Sequence, residues 1–158
     1  MRLKILTVAA LVSLGFASEA AAQGFGAKLK SFGKWTVYRS EDAITDERSC
    51  IAIFGEEGRI QVTEDSFAVS LRGKGGLGGY IIRLDSLPAW EMRLPSDVEK
   101  DVGAFIVEGK DFEQIMAAKR LRVRVLTVLS ELVDFDIDIS RGSEFLSVLK
   151  SADCHGKP

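Results

Sequence analysis

The chain has 158 residues, 21 basic against 23 acidic side chains for a formal charge of -2, and 46% hydrophobic residues. That mild balance, with no basic cluster interleaved with aromatics, argues against a nucleic-acid binder. The length suits one domain enclosing one core.

Residues 1–22, MRLKILTVAALVSLGFASEAAA, read as a bacterial secretory signal peptide. Arg2 and Lys4 give the positive start, residues 5–17 the apolar segment, and Ala20 with Ala22 a small-residue cleavage site before Gln23. The apolar segment is too short for a permanent anchor, and no later stretch supplies the roughly eighteen apolar residues a span requires. The expectation is a soluble periplasmic or secreted protein with no transmembrane segment after cleavage. In such an oxidising compartment Cys50 and Cys154 have a single intramolecular pairing, which would close a loop of about 105 residues. The alternatives are two separate buried thiols, or an exchange centre, for which a CxxC pair is missing.

Residues 23–32, QGFGAKLKSF, lack a strong period and read as a flexible lead-in to a single β-rich domain spanning 33–158. Trp35 and Val37 then alternate with polar positions as a half-buried strand requires. Cys50 opens the short apolar strand CIAIF. Residues 59–63 and 66–72 suggest paired strands of a meander. The run 73–79, GKGGLGG, with five glycines in seven residues, reads as a mobile hairpin loop whose exposed Lys74 and Leu77 offer a ligand or partner contact. It lacks the GxxxxGK[ST] order of a phosphate loop. Residues 80–84 and 89–94 continue the strands, the latter with Trp90, Met92 and Leu94 on one face; residues 95–97 form a turn, and 104–107 another short strand.

Asp111 is the expected N-cap of a short helix with Phe112, Ile115 and Met116 on one face. Residues 120–127, RLRVRVLT, and 133–139, VDFDIDI, are the clearest strands. They predict an antiparallel hairpin with Leu121, Val123, Val125, Val133, Phe135, Ile137 and Ile139 on the core face, and a solvated ladder of Arg opposite Asp outside. Asp134, Asp136 and Asp138 are spaced too widely along one strand to grip one ion. A second helix, capped by Ser143, carries Phe145, Leu146 and Leu149 toward Cys154. The fold class is therefore mainly β: an antiparallel β-sandwich or partly open barrel with two short helices, one C-terminal.

No residues announce catalysis. His155 is the sole histidine, set three residues from the end of the sequence, which supports neither a triad nor a zinc cluster. The reading assigns no catalytic residue, no metal and no cofactor. Trp35 and Trp90 read as core residues with a secondary role in lining a groove. The favoured function is a noncatalytic envelope interaction or structural protein with an envelope protein partner, monomeric or weakly dimeric. The alternatives are a small-ligand binding module and an uncharacterised hydrolase.

Three segments, Gly33-Lys34-Trp35, the TDERSC stretch ending at Cys50, and FDIDISRGSEFLSVLKSADC at 135–154, together resemble small exported bacterial proteins related to the invasion-associated locus B family. The resemblance implies a periplasmic or cell-envelope protein with a role in contact with a host. It carries no catalytic residues to this chain.

Overall fold

The structure, a computed structural model, describes residues 24–155. The expected signal peptide and cleavage site fall outside the described residues. Two antiparallel sheets, not closed into a barrel, enclose one core. The larger sheet has the order β1 (Ala27–Phe32), β2 (Trp35–Glu41), β3 (Arg48–Phe54), β4 (Ile60–Val62), β5 (Ser66–Ser70) and β7 (Ala104–Glu108). The smaller one has β6 (Gly79–Leu84), β8 (Arg120–Leu126) and β9 (Leu132–Asp138) in that order. Helices α1 (Asp97–Val102), α2 (Gly109–Ala117) and α3 (Gly142–Leu149) and a 3-10 turn, Ala152–Cys154, are the other elements among the described residues.

Period-two alternation places the core. Trp35 and Val37 of β2, Phe67 and Val69 of β5, Ile82 and Leu84 of β6, and Leu121, Val123 and Val125 of β8 are all buried in one cluster. The hairpin of β8 and β9 has the expected register, with Arg120 opposite Asp138, Arg122 opposite Asp136 and Arg124 opposite Asp134.

Four expectations change. Residues 27–32 are not a lead-in: they form β1, an edge strand interrupted by a bulge at Leu29. The bulge breaks the alternation that would have marked the strand. Residues 89–94 form no strand and touch β6 through the Tyr80–Arg93 bridge, leaving Met92 and Leu94 exposed. Pro88 and Pro95 bracket this stretch and lack the N–H donors a longer ladder would use. Residues 95–97 introduce α1 rather than a simple turn. Ser96 and Glu99 close a reciprocal capping box at its start. The N-caps of α2 and α3 are Glu108 and Arg141, so Asp111 and Ser143 lie within the first helical turns.

The glycine run also differs from its expectation. It connects β5 to β6, which belong to different sheets, so it is a crossover and not a hairpin tip. Leu77 is 2% exposed and belongs to the core, while Lys74 faces solvent. Gly75 and Gly76 have positive φ and approach Leu129 and Val128 in the β8–β9 turn, where a Cβ would crowd those side chains.

Cys50 and Cys154 are joined, with Cα atoms 5.2 Å apart. The bond ties the end of the chain to β3. Chain-entropy arguments give a cross-link of this span roughly 4–5 kcal/mol. Reducing the oxidised protein, or replacing both cysteines with serine, is therefore expected to lower the unfolding free energy obtained from urea titration by an amount of that order; coincident unfolding curves would contradict it.

Candidate functional site

The two sheets part beside the turn that joins β1 to β2. Phe32 pairs with Trp35 across Gly33-Lys34, and Gly33 adopts the positive φ that this two-residue connection requires. The turn overhangs a groove of about 700 Å³. Phe32, Trp35 and Phe54 form its aromatic wall, and Lys34, Lys119 and Asp138 are among the charged residues around it.

Trp35 holds this site together. Its ring lies 4.7 Å from that of Phe145 in α3 and 5.1 Å from that of Phe54 in β3. Its indole N–H donates to the carbonyl oxygen of Asp138 at 2.8 Å, linking the large sheet to the last residue of β9. Lys34 lies over Phe54, and Arg141 over Phe32, so cations flank the aromatic surface. The groove thus offers an aromatic wall, a charged rim and, along one side, the rim of the small sheet.

That rim is unpaired. Glu131 and Ile139 flank β9 and bond backbone-to-backbone with Thr127 and Lys119 at the ends of β8. The antiparallel alternation therefore turns Val133, Phe135 and Ile137 toward β8 and points the peptide groups of Leu132, Asp134, Asp136 and Asp138 outward. Trp35 takes the outward carbonyl of Asp138. Among the described residues, no other backbone group bonds the outward N–H and C=O groups of Leu132, Asp134 and Asp136.

The other three sheet edges are obstructed. On β6, Tyr80 exchanges both backbone bonds with Arg93, and Ile82 accepts from the Trp90 N–H. On β7, the outward N–H of Ile106 donates to the Glu99 carboxylate of α1 at 2.9 Å. The β1 edge carries the bulge and exposed Lys28 and Lys30, devices that discourage strand addition.

Arg124 pairs with Asp134 through two hydrogen bonds. Asp138 accepts from the Ser140 hydroxyl and backbone N–H, which hold its carboxyl below the ordinary range. Arg120, opposite Asp138 in register, reaches instead to Asp136 and binds both its oxygens. These hydrogen bonds lower the Asp136 carboxyl pKa, as Arg124 lowers that of Asp134.

Of the expected contact residues Trp35, Lys74, Leu77 and Trp90, Trp35 alone lines the groove. Trp90 is half-buried against β6 with the Arg93 guanidinium over its ring, and Leu77 is internal. His155 pairs with Glu64 at 3.2 Å, and neither lines the groove. The open β9 edge is a sheet property that strand periodicity does not reveal. Compared with protein-family models, curated proteins and solved structures, the chain has no match.

Two measurements check this geometry. Trp35→Phe, which keeps an aromatic ring but deletes the donor to Asp138, should cost on the order of 1 kcal/mol in denaturant unfolding; Trp35→Ala should cost about 3–5 kcal/mol. Unchanged stability in Trp35→Phe would remove the role given to the indole N–H. Folding lowers the pKa of Asp138, so its contribution is present above the ordinary carboxylate range and fades as pH falls through the depressed value. Carboxyl-carbon NMR should show Asp138 titrating below the unperturbed range, and Ser140→Ala should move it upward; no movement would contradict the Ser140 assignment.

Proposed function

We propose that this chain is a noncatalytic interaction protein of the bacterial envelope that accepts an extended segment of a partner protein along β9. The observation that carries the reading is the open rim of β9, set beside an aromatic seam while the other three sheet edges are obstructed. A segment laid along β9 would satisfy the outward peptide groups of Leu132, Asp134 and Asp136. Its inward side chains would cover half-buried Val133 and Phe135. Each new backbone bond contributes about 0.5–1.5 kcal/mol net, so a short ladder needs the apolar contacts to give useful affinity.

The signal-peptide pattern at 1–22, the pairing of Cys50 with Cys154, and the resemblance to the invasion-associated locus B family support the envelope setting and a role in host contact. A second reading, a small-ligand module, draws on the aromatic groove beside Trp35.

A photocrosslinking side chain at Leu132 tests the first reading in the oxidised protein within its native envelope. It should yield a reproducible protein adduct, whereas the same group at exposed Glu47 on the β2–β3 loop should not. A second substitution, Asp134→Pro, removes an outward N–H from an edge strand and should abolish the adduct. Equal adducts from Leu132 and Glu47, or an adduct indifferent to Asp134→Pro, would refute strand addition. A tightly retained small molecule with no protein adduct would favour the groove reading.

A further inference from the structure

The outer face of the small sheet holds an electrostatic imbalance separate from the β9 rim. Arg83 of β6 lies directly opposite Arg122 of β8 in the strand register. Like charges in directly opposed positions repel, and a sheet face normally offsets them with acidic neighbours. Here the carboxylates nearby are bound by other groups, and only Asp136 comes within ion-pair distance of Arg122. Arg124 binds Asp134 with both of its oxygens engaged. Ser140 takes Asp138, and Arg120 takes both oxygens of Asp136. Asp85 accepts the backbone N–H groups of Lys119 and Arg120. Arg122 makes only a 3.9 Å ion pair with Asp136, a carboxylate it shares with Arg120, and Arg83 donates its Nε–H to the neutral carbonyl of Leu87.

The two guanidinium groups border a groove of about 460 Å³ whose wall includes Ile81 and Ala89. We propose that Arg83 and Arg122 form a binding site for a phosphoryl group. Two guanidinium forks present several N–H donors to a tetrahedral oxyanion, and a phosphate dianion offsets both positive charges where a carboxylate offsets one. Ile81 and Ala89 supply a drier wall on which the body of a phosphate-bearing ligand rests. The ligand class is a phosphomonoester or a phosphate-bearing lipid headgroup. The site uses the sheet face, so it stands independently of strand addition at the rim.

The test is a titration of the oxidised protein with inorganic phosphate at constant ionic strength, following the arginine Nε–Hε signals by NMR. The expected result is saturable movement of the Arg83 and Arg122 signals. Arg83→Gln and Arg122→Gln, both changes of exposed or half-exposed side chains, should each weaken binding about tenfold or more. Arg72→Gln, which removes an exposed cation outside this groove, should leave it unchanged. No saturable movement in the unaltered protein, or undiminished binding by both glutamine variants at positions 83 and 122, would overturn the site. Co-sedimentation with vesicles containing phosphatidic acid, a lipid phosphomonoester, reversed by inorganic phosphate and lost in Arg83→Gln, would identify a lipid source. Phosphate binding without vesicle association would identify a soluble one.

Discussion

A strand at the rim of a sheet leaves every second peptide group without a neighbour, and four strands among the described residues stand in that position. On β7, a helix supplies a carboxylate: Glu99 both caps α1 and accepts the Ile106 N–H. On β6, the segment 90–93 contributes backbone bonds. On β1, a bulge and lysines obstruct addition. β9 differs, because its one cross-sheet bond comes from the Trp35 indole at Asp138 and the groups N-terminal to it stay open. The position of that indole is set by the aromatic stack of Trp35, Phe54 and Phe145, so core packing determines where the open rim begins.

The same outer face shows how a local hydrogen bond redistributes charge. Ser140, two residues beyond Asp138, engages its carboxylate. Arg120 binds Asp136, two residues from its register partner, and Arg122 has to share that carboxylate at 3.9 Å. These pairs are solvent-exposed and contribute little to stability individually. Their consequence is spatial: positive charge collects at Arg83 and Arg122 while the rim of β9 carries neutralised carboxylates.

Much of this architecture is legible in the sequence because alternation and side-chain direction have the same period in a strand. RLRVRVLT and VDFDIDI carry both the core face and the charge ladder, and two cysteines allow one bridge. Other features needed subtler signs. Ser96 and Glu99 spell a capping box that sits beside Pro95 and is easily taken for a turn. The bulge at Leu29 hides β1. The glycine run reads as a free tip because composition does not say that β5 and β6 belong to different sheets. The functional surfaces are less legible still. Trp35 and Asp138 are 103 residues apart, and the opposition of Arg83 to Arg122 exists only once β6 and β8 take their register. The open rim likewise depends on strand order, which no local pattern encodes.

Residue-resolved amide hydrogen exchange on the isolated oxidised protein tests the open rim most directly. The account predicts alternating protection along β9, with slow exchange at Val133, Phe135 and Ile137 and fast exchange at Asp134 and Asp136. Uniformly slow exchange from Leu132 through Ile137 would mean that the rim is already paired in the isolated protein, and would contradict the account.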